Sequence, residues 1–384
     1  MKIALITSSR ADYGLLKPLI KRLDSDKFFD LKIIATGTHL SKEFGNTYKE
    51  IENDGFQICK KMKILEGTDS AAGITKTCSV AIENFGKTFQ TIKPDALLVL
   101  GDRYEILCGV FAALFFKIPV IHYSGGEKTE GAYDDAIRHA ITKMSHLHFV
   151  SCEEYRKRVI QLGEDPKTAF NTGSLGVDNI ANQKLLSKTE FEKSINLKLN
   201  KKTLLVSWYP ETLSSLSAHD QFSEVLKSLN KFKDHTIIFT KSNADTDGRI
   251  VSKMMDTYAK KNRNARVFES LGMLRYLSAI KYADVVVGNS SSGITEAPSF
   301  NKATVNIGHR QKGRIMAKSV INCSTNANEI TKAIKLAESA KFISQLKDHK
   351  SPFGNGTASK QIVDLIKKFN FKNCINKSFY DLKF

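Results

Sequence analysis

The chain has 384 residues, too many for one core, since single hydrophobic cores stop growing near roughly 250–300 residues. Hydrophobic residues at 41% and charged ones at 26% place it among globular chains. The net charge of +18 comes from lysines spread along the whole sequence, without interleaved aromatics or a nucleic-acid motif, so it reads as a solvated surface rather than a nucleic-acid face.

Met1–Thr7 is too short for a signal-peptide core and runs straight into Ser8, Ser9 and Arg10, so Lys2–Thr7 is expected to be a first β-strand. Leu15, Leu16, Leu19, Ile20 and Leu23 then recur at helical spacing. A strand is expected over Leu31–Ala35, and Ile74, Cys78, Ala81, Ile82 and Phe85 mark another helix. Strands are predicted at Ala96–Leu100, Val120–Tyr123 and His148–Ser151. The apolar run Ile106–Phe116 falls short of the roughly 18–20 residues of a membrane span and predicts a buried helix. This alternation is the signature of a parallel sheet.

A break follows Asn171-Thr172-Gly173-Ser174, and the polar, Lys-rich Asn179–Lys202 is expected to be the linker. A second series then begins, with strands at Leu204–Ser207, Thr236–Phe239, Arg266–Phe268, Val285–Gly288 and Thr304–Ile307. Pro352–Gly356 is a turn cluster, and the helix after it, Ala358–Phe369, is positioned to cross back to the first domain. The expected fold is therefore α/β, two Rossmann-like parallel-sheet domains facing a cleft, with domains at 1–175 and 176–357 and a C-terminal helix and tail at 358–384. Six cysteines lie scattered with no CxxC pair, which fits reduced thiols in a cytoplasm.

The residues that carry chemistry cluster at expected strand ends. Val99-Leu100-Gly101-Asp102-Arg103 delivers a phosphate-binding fork at Arg103 and a carboxylate at Asp102, either for proton transfer or as a plain helix cap. His122-Tyr123-Ser124-Gly125-Gly126-Glu127 ends the next strand, its glycines allowing close approach of backbone to a ligand. Glu127, Glu130, Asp134 and Asp135 follow closely; carboxyls sharing a dry cleft have pKa values pushed apart, so one becomes acid and the other base. Asp134-Asp135 also suits a helix start, whose dipole favours ionised carboxylates. His139, His146 and His148 read as packed side chains, not metal ligands, and no metal is expected.

In the second half, Gly288-Asn289-Ser290-Ser291-Ser292-Gly293 leaves a strand and opens a helix, a place for an anion. Glu296 is set to accept from ribose hydroxyls, or is a surface charge. Gly308-His309-Arg310-Gln311 brings another arginine to the same edge, and Ser242-Asn243-Ala244-Asp245 reaches toward base or ribose.

Together these motifs resemble the UDP-N-acetylglucosamine 2-epimerase family, its hydrolysing branch in particular. The resemblance runs from Met1 to about Gly356 through Ser9-Arg10-Ala11-Asp12-Tyr13, Thr36-Gly37-Thr38-His39-Leu40, Gly101-Asp102-Arg103, Gly125-Gly126-Glu127, the long run Asp134–Lys143, Gly288-Asn289-Ser290-Ser291 and Gly308-His309-Arg310-Gln311. It implies a glycosyltransferase-B-like fold, with UDP held mainly by the second domain. It implies Asp102 and Asp134 as catalytic carboxylates, and Arg10, Arg103, Asn243, Ser290, Ser291, Glu296 and Arg310 as UDP-binding residues; Glu127, or Glu130 in its place, is expected as a third catalytic carboxylate, and His122, Arg138 and Tyr209 as further substrate-binding residues. No cofactor is implied, and the partners are a UDP-sugar and further copies of the chain in a dimer or tetramer.

The reaction so implied removes the C2 proton, expels UDP to leave a glycal, and adds water with inverted C2 stereochemistry. Products would be N-acetylmannosamine or its 6-deoxy-diacetamido analogue, which feed sialic or legionaminic acid pathways for surface glycans. Two positions depart from the family pattern. Ser124 stands where many relatives have a catalytic glutamate, and Tyr209 where many have a histidine before Pro210. Tyrosine still donates a hydrogen bond but carries no charge near neutral pH. A non-hydrolysing epimerase, a glycosyltransferase of the same fold and a non-catalytic nucleotide-sugar binder are the alternatives.

Overall fold

Short runs rich in Ile, Val and Leu form strands, and the amphipathic stretches between them form helices. The computed structural model describes residues 1–66, 70–129, 133–211, 216–241, 248–346 and 351–383, without the Arg249 side chain. The first series is β1 Lys2–Thr7, α1 Arg10–Ser25, β2 Asp30–Ala35, α2 Tyr48–Asn53, β3 Ile58–Lys61, α3 Ala71–Ile92 and β4 Ala96–Leu100. It continues through α4 Tyr104–Phe115, β5 Val120–Tyr123, α5 Asp134–Met144, β6 Leu147–Val150, α6 Glu153–Gln161 and β7 Ala169–Asn171. Two short helices follow, α7 Leu175–Asn182 and α8 Lys188–Ser194. The second series is β8 Thr203–Ser207, α9 Ala218–Leu229, β9 Thr236–Thr240, α10 Gly248–Lys261, β10 Ala265–Phe268, α11 Gly272–Tyr282 and β11 Val285–Gly288. It ends with α12 Ser291–Thr295, β12 Ala303–Ile307, β13 Val320–Cys323, α13 Ala327–Ala337, α14 Ala340–Gln345 and α15 Ala358–Lys368.

Two compact units result: Met1–Asn179 with Phe353–Phe384, and Ile180–Pro352. The first holds a seven-stranded sheet in the order β3-β2-β1-β4-β5-β6-β7 and the second a six-stranded sheet in the order β10-β9-β8-β11-β12-β13. Every pairing is parallel. Each sheet therefore grows outward in both directions from a switch point, between β1 and β4 in one and between β8 and β11 in the other. Open α/β sheets bind ligands at the carboxyl ends of strands flanking such a point.

The chain returns to its first unit through α15. Ile362, Val363 and Ile366 share one core with Leu16, Leu19 and Leu23 of α1. The Asp178 carboxylate accepts from the N–H groups of Ala358 and Ser359, both at 2.7 Å, and so caps a helix whose own Thr357 makes no cap bond.

Three expectations need correction. Asn179–Lys202 is no bare linker: Ser187 and Glu190 form a capping box on α8, and Phe191, Ile195 and Leu199 are buried in the second unit's core. The Lys-rich solvent face hid three apolar anchors. The break expected after Ser174 falls where α7 begins at Leu175, and the second unit starts at Ile180. Finally, α4 buries only one face. Ile106, Val110 and Ala113 pack inward, while Phe111, Leu114, Phe115 and Phe116 are 40–68% exposed.

Candidate functional site

At the switch point of the first unit, β1 delivers Ser8, Ser9 and Arg10, and β4 delivers Gly101, Asp102 and Arg103. Ser9 caps α1, and the Asp12 carboxylate turns back to accept from the Ser8 amide and hydroxyl at 3.1 and 2.7 Å. Arg10 points Nε at Glu50, 3.2 Å away, with both side chains nearly half exposed. Arg103 pairs with the buried Glu105 at 2.8 Å.

Asp102 is not a helix cap. The cap position of α4 belongs to Arg103, and the Asp102 carboxylate instead forms an ion pair with Arg138 of α5. Arg138 is 2% exposed and Asp102 26%. The same guanidinium donates to Thr129 Oγ1 at 2.9 Å, the Glu127 carbonyl at 3.0 Å and Asp135 Oδ1 at 3.1 Å. Its donors are thus turned on protein acceptors. Arg138 gathers β4, the loop after β5 and the start of α5 around one buried charge.

Asp134 and Asp135 stand in the first turn of α5, behind Tyr133 at the cap position. Burial, and then the neighbouring Asp102 carboxylate, push the Asp134 carboxyl above its ordinary pKa. This direction runs against the pull of the helix dipole, which favours the ionised form.

His122, expected among the substrate-binding residues, is fully buried. Its Nε2 lies 2.9 Å from the Gly101 carbonyl and Nδ1 3.2 Å from Thr142 Oγ1. Burial pushes its pKa down to about 3, so the neutral ring donates Nε2–H to Gly101 and braces the turn that carries Asp102. The two glycines of the next turn also serve packing. A Cβ on Gly125 would lie 2.9 Å from Thr142 Oγ1, and one on Gly126 would collide with the Tyr155 carbonyl of α6. Ser124 has φ +71°, the left-handed region that costs a non-glycine residue. Glu127 is half-buried beside this turn.

His146 accepts from the Val120 amide at 3.1 Å, and His148 meets the buried Glu164 at 3.0 Å. Glu164 also receives Lys143 and Lys377, each at 2.7 Å. Among the described residues no three His, Cys, Asp or Glu side chains group as a metal site.

The second unit presents its polar residues at the β8–β11 switch point. Tyr209 and Arg310 meet there, the guanidinium 4.6 Å from the ring centroid. Buried Asn289 brackets Tyr209, accepting from its amide at 2.7 Å and donating to its carbonyl at 2.8 Å. Ser290 caps α12 and Ser291 opens it, but α12 has only five residues, so the anion reading rests on few N–H groups. Ser292 donates to Glu296, whose carboxyl is raised by burial against this bond. Tyr276 stands with Ser292 and Ser207 at the same place, and burial lifts its hydroxyl to about 12. Asn243 and Glu130 lie outside the described residues. Thr129, Tyr276 and Glu211 belong to no motif singled out in the sequence, and Thr142 and Asn289 stand there only as members of motifs, without a role of their own. Only Thr142, one helical turn after Arg138, and Asn289, directly after β11, carry a positional signal.

Two Rossmann-like parallel units in tandem, each with polar residues at its switch point, define a glycosyltransferase-B-like chain. The sequence matches the UDP-N-acetylglucosamine 2-epimerase family over residues 21–367, and the chain belongs to that family. It is 42% identical to the Campylobacter jejuni GDP/UDP-N,N'-diacetylbacillosamine 2-epimerase (hydrolyzing), covering 99% of each chain. It is also 42% identical to the Escherichia coli polysialic acid biosynthesis protein P7, covering 99% of this chain and 97% of that protein. The fold resembles the UDP-GlcNAc 2-epimerase of Neisseria meningitidis bound to UDP-GlcNAc, with TM-score 0.75, 18% identity, and coverage of 96% of this chain and 100% of that one.

Proposed function

We propose that this chain is a hydrolysing 2-epimerase of a UDP-linked 2-acetamido sugar, and that the sugar is the 2,4-diacetamido-2,4,6-trideoxyglucose of UDP-N,N'-diacetylbacillosamine. The observation that carries this is full-length 42% identity to a relative named for that hydrolysing reaction. UDP-N-acetylglucosamine is the second reading, favoured by equal identity to a polysialic acid biosynthesis protein. The product would be UDP and the free mannose-type sugar, a precursor of nonulosonic acids.

Asp102, fixed by Arg138, is the proposed base that takes the C2 proton as the C1–O bond breaks and UDP departs. The resulting glycal gains water: hydroxide at C1 and a proton at C2 from the opposite face. Asp134, whose carboxyl keeps its proton to higher pH than usual, suits the acid that supplies the second proton. Glu127 is a third participant at the same loop. Arg138 and His122 position these carboxylates from behind. Arg10, Arg103, Tyr209, Asn243, Ser290, Ser291, Glu296 and Arg310 are assigned to the nucleotide sugar, the arginines to its diphosphate.

Free thiols support a reducing compartment, the cytoplasm. No helix among the described residues is long and apolar enough to cross a membrane. The exposed Phe111, Leu114, Phe115 and Phe116 of and beside α4 support self-association. The test of the function is incubation with each UDP-sugar and a GDP-sugar control, with products followed by NMR. Free 2-epimeric sugar plus UDP is the expected outcome. A UDP-linked epimer, or no turnover of any of them, contradicts it.

A further inference from the structure

Beyond Tyr209 the chain leaves the sheet of the second unit through Pro210 and Glu211. The Glu211 carboxylate does not face solvent alone. Its Oε1 accepts from two successive backbone N–H groups across the switch point, His309 at 2.5 Å and Arg310 at 3.0 Å. Gly308, at φ +77°, makes the turn that lets both N–H groups converge, and a Cβ there would collide with this same carboxylate. Successive N–H groups in such a turn form an anion-binding concavity, and here a side chain of the protein fills it.

Glu211 is anchored in turn. Gln221, which is 2% exposed, accepts from the Glu211 amide at 3.3 Å and donates to its carbonyl at 3.3 Å and to the Leu216 carbonyl at 2.8 Å. Arg310 is therefore held at both ends. Glu211 fixes its backbone, while the Tyr209 ring and the Asn289 carbonyl, 3.0 Å from Nη1, fix its guanidinium.

We infer that Glu211 is a positioning residue for nucleotide binding: its carboxylate fills the N–H pair of the 308–310 turn, fixes the backbone from which Arg310 reaches the diphosphate, and keeps the substrate's own phosphate out of that turn. The inference rests on the UDP-binding reading above and adds the residue on which its arginine depends. A negative side chain beside a diphosphate site is otherwise repulsive. Two backbone donors absorb that charge and turn it to use.

The test is calorimetric titration of the full chain with UDP. Loss of a charge-assisted bond of this kind should weaken UDP about tenfold or more in Glu211→Ala. Glu211→Gln keeps the reach and the acceptor oxygen, whereas Glu211→Asp keeps the charge but is one methylene short. The inference expects Gln to bind UDP more tightly than Asp, a comparison that remains readable if the Ala variant does not fold. In an Arg310→Ala background, Glu211→Ala should change affinity by less than about twofold, because the two act as one unit. Asp binding as well as Gln, additive losses in the double variant, or tighter binding by Glu211→Ala would overturn the inference. If Arg310→Ala binds UDP normally while the unaltered chain still hydrolyses its UDP-sugar, this inference falls and the function stands. If the unaltered chain binds no UDP, both fall.

Discussion

The Arg138 guanidinium, buried on α5, closes on the Asp102 carboxylate at the end of β4, 36 residues earlier in the chain. An aspartate that could have been a helix cap is thereby a member of a five-group cluster with Glu127, Thr129, Asp135 and the arginine. Removing one partner of such a pair leaves an uncompensated buried charge. Arg138→Ala should cost on the order of 3 kcal/mol in stability, softened by the partial exposure of Asp102. Arg138→Lys keeps the charge but not the fork that reaches four acceptors at once, so turnover should drop at least about tenfold. UDP affinity, assigned mainly to the second unit, should stay within about twofold. Equal losses of turnover and UDP affinity in the Lys variant would contradict this division, and paired kinetics and titration read it.

Asp134 gives a prediction with a sign. Its folded pKa is raised, so folding is favoured by its protonated form. That favour is fully present below the unfolded carboxyl value of about 3.9 and is lost as pH rises through the raised value. Asp134→Asn should therefore match or exceed the parent's melting temperature at pH 8 and lose that advantage by pH 4. Its turnover should fall about 10²–10⁴-fold. A helix-cap role would give the reverse pattern, a variant destabilised at pH 8 with turnover near normal.

Much of this arrangement was legible in the sequence, and what was not has a physical cause. The interior strands announce themselves as unbroken runs such as Ala96–Leu100 and Val285–Gly288, because both faces are covered. Three unforeseen strands, β3, β7 and β13, all lie at sheet edges. They are three or four residues long and partly exposed, so they carry little apolar signal. Asp102 and Asp134 are marked in the sequence by their positions at a strand end and a helix start, but only the contact with Arg138, which the sequence does not show, rules out the cap reading of Asp102. His122 stands in the sequence near the end of a strand in a glycine-rich motif, with nothing there to mark it as buried. Its burial depends on Thr142 and Gly101, which the sequence does not place beside it.

The buried histidines set an acid limit. Burial lowers His39 to about 4, His122 to about 3 and His146 to about 4, against about 6.5 unfolded. For a base with a lowered folded pKa, the unfolded chain binds more protons, so the stability contribution is present above about 6.5 and is lost as pH falls toward 4. Each group can contribute up to about 1.4 kcal/mol per pH unit. Urea midpoints should fall steadily from pH 7 to pH 4.5, and His122→Gln should flatten the slope. A midpoint constant over that range would show that these rings are not held neutral by the fold.

Ser124 stores backbone strain at the mouth of the proposed site. With φ at +71°, it should gain about 1 kcal/mol on replacement by glycine, which adopts this region freely. Ser124→Gly is expected to raise the melting temperature by a few degrees, while Ser124→Val should lower it. A glycine variant less stable than the parent would mean that the serine hydroxyl contributes more than the strain costs.

The central claim is proton removal at C2 followed by hydrolysis, and one measurement tests it most directly. The protein is incubated with UDP-N,N'-diacetylbacillosamine in D₂O, and the released sugar is read by NMR and mass. The expected result is free mannose-configured sugar carrying one deuterium at C2, with stoichiometric UDP. Free sugar of unchanged configuration with hydrogen retained at C2 would contradict the claim, since it would mean simple cleavage at C1 without the carboxylates of the first unit touching C2.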